Sequence, residues 1–505
     1  MAIPTNNLFL FGNTEHQMSS HLYAPLNTAL QVYQEWGISM YQTFEENKQY
    51  LNDILHVSEC FDIVNRDIII GEKNAAFYFI DGFCKDEMMQ KILQFLMGLK
   101  SDDMPQSAKD MNKLLPHVEV DLSKNFDEIA KNVLCGVFAV IIEGFDECIL
   151  IDSRTYPARG VSEPEKDKVL RGSKDGFVET VVFNTALIRR RIRSTDLRME
   201  MLSAGNASKT DIVLCYMDSR VDKEFLKKIR SRINDIKVDA LTLNQESLAE
   251  CLYTSKWFNP FPKFKYTERP DTAAAQVLEG SIIILVDNSP SAMILPISIL
   301  DMIQEADDFY FPPVTGSYLR FSRFLILILT YFVTPTFLLL MQNPDWIPPA
   351  FDFIVVKEDI NVPLIWQFLI LELAIDGLRL AAVNTPNMLS TPLSVMAALI
   401  LGEFSVKSGW FNAEVMLYMA FVAIANYTHP SYELGYAIKF FRIINLILTA
   451  IFQFWGYIAG IVLFFFAIVS NKMVSGQSYL YPLIPFNWKK ISHALFRYRL
   501  PKSQE

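Results

Sequence analysis

IINLILTAIFQFWGYIAGIVLFFFAIVS, from Ile443 to Ser470, carries no charged side chain. A bilayer core of ~30 Å takes roughly 20 apolar residues of helix, so this run is long enough to cross one. FLILILTYFVTPTFLLLM, Phe324–Met341, is also uncharged and near the minimum length, and Pro335 within it predicts a kink. Three further apolar segments lie between them: Leu364–Val383, Leu393–Val406 and Val415–Thr428. Everything before Arg320 is charged and reads as a folded soluble body. The expected fold class is therefore α+β, with a two-part cytosolic α/β N-terminal region followed by an α-helical transmembrane domain.

Arg320 and Arg323 precede the first apolar run, and Lys472, Lys489, Lys490, Arg497, Arg499 and Lys502 follow the last. Lys and Arg beside a span mark its cytoplasmic side, so both ends are expected there and the number of crossings is even. Leu393–Val406 is short, contains Glu403 and runs straight into Lys407. It is expected to be re-entrant, shielded by protein or lining a wet cavity, which leaves four full spans. Val415–Thr428 is equally short.

Of the 505 residues, 51% are hydrophobic and 20% charged, a combination that fits two dissimilar halves. The formal charge of −10 comes from the first 310 residues. An acidic soluble body argues against nucleic-acid binding. The N-terminus, MAIPTNNLFLFGNTEHQM, lacks the basic and apolar regions of a secretory signal. Six scattered cysteines without a CxxC pair read as free core thiols.

Within the soluble body, helix is expected over Ile38–Leu55, Asp86–Leu99, Asn184–Met201 and Asp222–Ile233. Strands are expected at Asp67–Ile70, Ala75–Ile80, Asn132–Glu143, Glu147–Asp152 and Asp211–Met217. Arg189–Arg193 is either a phosphate contact or, the preferred reading, a solvated helix face pairing with nearby acids. GSIIILVDNSPSAMILP, Gly280–Pro296, is a hairpin whose tip is Asp287, Asn288, Ser289 and Pro290. With no histidine close in sequence, turn chemistry explains Asp287 and Ser289 better than catalysis. The expected divisions are 1–105, 106–265, a hairpin linker 266–318, a transmembrane domain 319–471 and a basic cytoplasmic tail 472–505.

LIWQFLILELAIDGLRLAAV, Leu364–Val383, is interrupted by Gln367, Glu372, Asp376 and Arg379. Glu372 and Asp376 are spaced i, i+4 and share a helix face, which Arg379 continues. A charge at the bilayer centre costs at least ~2.5 kcal/mol, so such residues face an interior or water. In a symmetric oligomer this stripe makes carboxylate rings, which favour cations. The alternative is an internal Asp376–Arg379 salt bridge with no ion path. Glu403 is a second pore candidate. Asn426 and Thr428 read as interhelical hydrogen bonding, and His429 before Pro430 as a helix end.

No phosphate loop, nucleophile elbow, HExxH or metal-spaced Cys/His cluster occurs, and His16 and His21 make weak ligands, so no enzyme activity, cofactor or metal is expected. A longer bundle with internal repeats, typical of secondary transporters, is also missing.

TERPD (Thr267, Glu268, Arg269, Pro270, Asp271) and ILVDNSP (284–290, with Asp287, Ser289 and Pro290) resemble the A-subunit family of bacterial spore germination receptors. So do the stretch Glu163–Gly172, Phe177-Val178-Glu179, Asn184, Leu187-Ile188-Arg189, Gly377-Leu378-Arg379-Leu380, and Thr428, Pro430, Tyr432 and Gly435 with Arg442. The likeness covers roughly residues 130–475. RDIIIGEKNAAFYFIDG and the tail SYLYPLIPFN (Ser478–Asn487) are closer to the family's sporulation-protein branch than to a nutrient-receptor subunit. The resemblance implies an inner-membrane protein of the dormant spore, a pentamer-like homo-oligomer that conducts monovalent cations and amplifies the germination response. Its implied partners are membrane lipid and a small membrane protein or other receptor subunits. The sequence leaves a second reading open, a scaffold or signalling subunit that conducts nothing. Acids in nutrient-receptor relatives stand in a different register, so the family does not vouch for Glu372 and Asp376 individually.

Overall fold

The computed structural model describes residues 39–83, 86–154, 172–253, 259–385, 395 and 402–498. His16, His21, Glu163–Arg171 of the family-like stretch and most of Leu393–Val406 lie outside them. Two compact units emerge. The first takes in residues 39–55, 64–80 and 86–154, and the second residues 56–63, 81–83 and 172–498.

The first unit is built on a five-stranded sheet of β1 (Ile63–Ile70), β2 (Lys73–Ile80), β3 (Val120–Ser123), β4 (Phe138–Ile142) and β5 (Cys148–Ile151), in the order β1-β2-β4-β5-β3. The apolar run FAVII makes β4 central, with all five residues buried. β2 pairs antiparallel with β4, Ala75 opposite Ile142, so the division expected near residue 105 falls inside this sheet. Asn132–Leu134, expected as strand, ends the helix Phe126–Leu134 instead. Asn125 caps that helix by accepting from the Asp127 N–H, and Phe126, Ile129, Ala130 and Val133 recur at helical spacing on its buried face. Gly136, at φ 94°, then turns the chain into β4.

The second unit opens on a sheet of β6 (Leu197–Ala204), β7 (Thr210–Met217), β8 (Lys265–Thr267), β9 (Ile282–Val286) and β10 (Ala292–Leu295), ordered β6-β7-β9-β10-β8. The hairpin expected at Gly280–Pro296 forms as β9–β10, but β8 and β10 complete the sheet, so 266–295 is not a linker. The helix expected over Asn184–Met201 stops at Arg189. Leu197–Ala204 is a strand because all eight of its residues pair with β7, and this ladder outweighs the helical preference of LRMEMLSA.

The Arg189–Arg193 run is solvated only in part: Arg190 and Arg193 are exposed, and the expected pairing with acids is made by Arg189 and Arg191. Arg189 is fully buried, with its Nε and Nη2 donating to the two Asp62 oxygens at 2.9 and 3.1 Å, and Arg191 pairs with Asp175. Of the described cysteines, Cys60, Cys135, Cys148 and Cys215 are buried and Cys251 is exposed.

The C-terminal region consists of α1 (Pro313–Gln342), α2 (Leu364–Asn384), α3 (Ala413–Asn426), α4 (Tyr432–Val469) and α5 (Trp488–Leu495). α1 and α4 are long and apolar enough to cross a membrane. α4 is not one rod, as the expected span Ile443–Ser470 requires. Gln453 leaves helical geometry at φ 49°, ψ −126°. A Cβ on Gly456 would come within 1.8 Å of the Leu448 carbonyl, and one on Gly460 within 2.3 Å of Asn445 Oδ1. The Phe441 and Phe464 rings lie 5.7 Å apart. In a straight helix these pairs are separated by at least ~12 Å, so the chain reverses at Gln453 and α4 is an antiparallel hairpin with glycines at its seam. Each leg is roughly 15–20 residues, near the length that spans a hydrocarbon core.

Candidate functional site

The core of the second sheet continues into this hairpin. Phe261 lies 5.6 Å from Phe441, 6.1 Å from Phe464 and 6.2 Å from Tyr479, ring centre to ring centre. Tyr331 of α1 stacks on Phe464 at 4.2 Å and donates to the Gly460 carbonyl at 3.0 Å. At the far end, Gln342 donates to the Ala450 carbonyl and Trp346 meets Phe454, so α1 and the first leg of α4 run outward together. α2 returns, because Gln367 near its start binds Asn412 at that far end while Arg379 lies beside Tyr427, Tyr432 and Tyr436 near the sheet.

At mid-depth these helices enclose a charge cluster. Glu372 of α2 is 4% exposed, and Arg442 of α4 is fully buried. Arg442 donates to Glu372 Oε1 through Nε at 3.0 Å and Nη2 at 2.5 Å, and through Nη1 to the Thr330 carbonyl of α1 at 3.1 Å. Lys439, one turn earlier on α4, lies 3.2 Å from Glu372 Oε2 and 2.5 Å from Asp376 Oδ2. The i, i+4 acids of α2 thus meet i, i+3 bases of α4, two negative charges against two positive. Low dielectric strengthens each attraction, and pairing is what makes the burial tolerable. Asp376 is the open member, its side chain 33% exposed.

Glu372 and Asp376 therefore share a face, which looks onto α4 of the same chain. The outward stripe of α2 is apolar, with Trp366, Ile370, Leu373 and Leu380 exposed. Arg379 does not bond to Asp376. Its guanidinium lies over Tyr427 at 4.9 Å and Tyr436 at 5.2 Å. Gln367 is tied to Asn412, donating to Asn412 Oδ1 at 2.8 Å and accepting from the Asn412 N–H at 2.9 Å. Glu403 sits apart, in an exposed i, i+4 pair with Lys407. A Cβ on Gly377 would meet no atom within 4 Å. His429 is buried next to the start of α4.

Sequence reasoning missed Lys439 and Arg442 as partners. A span defined by the absence of charge begins at Ile443, one residue past Arg442. The available signal was their i, i+3 spacing, complementary to the acids of α2.

The TERPD and VDNSP segments act as joints. Arg269 is buried and forks onto Asp271 at 3.1 and 2.6 Å, Tyr310 also donates to Asp271, Pro270 starts a helix, and the Glu268 carbonyl accepts from the Phe177 N–H. The Thr267 hydroxyl accepts from the Arg269 N–H. Asp287 Oδ1 accepts the Val181 N–H at 3.1 Å, at the first turn of the helix Val181–Arg189. Ser289, followed by Pro290, donates to Gln245. Both motifs thereby clamp residues 177–181.

A family model described as Bacillus/Clostridium GerA spore germination protein matches residues 49–505. Stage V sporulation protein AF of Bacillus subtilis (strain 168) is 36% identical over 471 residues, spanning 93% of this chain and 95% of that one. Spore germination protein KA of the same organism is 27% identical, spanning 87% and 82%. The crystal structure of the N-terminal domain of the A subunit of the Bacillus megaterium spore germinant receptor GerK3 matches with a TM-score of 0.40 and 26% identity, over 52% of this chain and 97% of that one.

Proposed function

The chain belongs to the Bacillus/Clostridium GerA spore germination protein family, and from that premise we propose that it is a homo-oligomeric cation channel, or a channel subunit, of the spore inner membrane that releases monovalent ions and amplifies the germinant response. One observation carries this reading: four ionisable side chains, Glu372, Asp376, Lys439 and Arg442, are gathered between apolar helices, where such residues mark a functional site such as an ion path. Asp376 is the open carboxylate of that path, and Glu372, held by Arg442, sets its field. Gln367 lies further along the same helix, and Glu403 is a second site on the route. In this reading both termini are cytoplasmic.

A second reading is a non-conducting scaffold of a membrane-associated receptor complex. The exact match of two acids by two bases favours it, since a neutral cluster attracts no ion. K⁺ release from proteoliposomes of the full chain decides between the two. The channel reading expects flux that falls in Asp376→Asn while the protein stays folded. Undiminished flux in that variant removes Asp376 from the path, and no flux from folded oligomers favours the scaffold.

A further inference from the structure

The tail beyond α4 turns its most apolar side chains to the outside. Phe486 and Trp488 are 71% and 65% exposed and stack on each other at 6.3 Å, with Leu483 and Ile484 exposed beside them. Lys489 and Lys490, also exposed, follow directly. From Asn471 to Gln504 the sequence has six basic residues and no acidic one. A face that is apolar, aromatic and cationic at once is costly in water and matches one surface well, a bilayer boundary carrying anionic headgroups.

The tail's position agrees. Tyr479 packs on Phe261 at the sheet end of α4, whose last residues join the same core. Ala494 and Leu495 share a small cavity with Arg320 and Phe324, where α1 changes from charged to apolar. Arg320 donates to the His493 carbonyl at 2.8 Å, fixing α5 at that level. On α1, Val314, Tyr318, Phe321 and Leu325 are exposed as well and recur at helical spacing. Trp and Tyr collect at this depth because their rings are apolar and their edges polar.

We propose that residues 480–498 are an interfacial anchor, seating Leu483, Ile484, Phe486 and Trp488 among the headgroups of an anionic phospholipid leaflet while Lys489 and Lys490 contact the phosphates. The anchor rests on the helical region crossing a bilayer. It fixes the sheet-side end of the helices to the membrane surface and makes their packing responsive to lipid charge.

The test uses the full-length protein in vesicles of phosphatidylcholine alone or mixed with phosphatidylglycerol. Flotation with the vesicles comes first, and failure to float overturns the membrane reading itself. Chymotryptic cleavage after Phe486 is then timed on each. A lysine beside an anionic leaflet contributes about fivefold, the equivalent of about 1 kcal/mol, so two give cleavage about 25-fold slower on the anionic vesicles. Lys489→Gln with Lys490→Gln brings that ratio close to one. Equal rates for the wild type overturn the anchor, as does protection on both vesicles and in detergent, which means that protein covers the face. Trp488 gives an independent readout, as the difference between wild type and Trp488→Phe. Quenching by lipids brominated near the headgroup is expected, and emission quenched by aqueous iodide instead refutes the proposal.

Discussion

Replacing Glu372 by Gln keeps the shape of the cluster and removes one of its charges. The count changes from two acids and two bases to one acid and two bases. Arg442, fully buried, can then still donate to an amide oxygen at that position and to the Thr330 carbonyl, but it has lost the carboxylate charge that faced its Nε and Nη2. Breaking a buried pair on one side costs about 3–5 kcal/mol, because the surviving charge stays desolvated. Glu372→Gln is expected to lose about that much, and Asp376→Asn, with its third-exposed carboxylate, roughly 1–2 kcal/mol. Removing both ends, as Glu372→Leu with Arg442→Met, should recover most of the loss. The assay is equilibrium unfolding in mixed micelles, with the four variants of a double-mutant cycle. A Glu372→Gln protein within about 1 kcal/mol of wild type refutes the idea that this carboxylate carries the arginine.

Other perturbations test the surrounding structure. Gly460→Val is expected to open the α4 hairpin, since even a Cβ would come within 2.3 Å of Asn445 Oδ1, and a cysteine pair introduced across the 441/464 level should then cease to crosslink. Arg189→Met strands Asp62 and is expected to cost about 3–5 kcal/mol by chemical unfolding, more than any change at the exposed Arg190. Lys263 is buried against uncharged acceptors, Asn471 and the Lys472 carbonyl, and burial pushes its ammonium from an ordinary 10.5 down to about 8. The native state thus binds this proton less tightly than the unfolded chain. Stability should rise between about pH 8 and pH 10.5 by up to ~1.4 kcal/mol per unit, with the penalty fully present below pH 8, and Lys263→Met should flatten that slope in unfolding measured across the window.

What could be read from the sequence was whatever local pattern dictates. The run IIILV and the turn at Asp287-Asn288 fix the β9–β10 hairpin, and the apolar runs on either side of the turn Gly71–Asn74 mark β1 and β2. The acids of α2 stood out because charge is scarce in an apolar helix. What escaped depends on partners distant in sequence. Arg189 looks solvated until Asp62, 127 residues earlier, is brought beside it. Leu197–Ala204 has no β-branched residue and becomes a strand only through β7. The reversal at Gln453 carries neither Gly nor Pro, and an unbroken apolar run gives no sign of direction. Only the small residues Gly456 and Gly460, one turn apart, hint that something packs closely there.

Phe261 belongs to the loop that leads into β8, yet its ring rests on both legs of the α4 hairpin. No hinge separates the two at this point, so a shift of that loop must also move Phe441, one residue from Arg442, or leave a void. Reciprocity follows for any ligand of the sheet that prefers one arrangement of Phe261. Whatever factor it imposes on the cluster of Glu372 and Arg442, a change in that cluster imposes the same factor on the ligand's affinity. Titrating such a ligand against wild type and Glu372→Gln would therefore measure the signal transmitted through a single aromatic contact, without opening a channel at all.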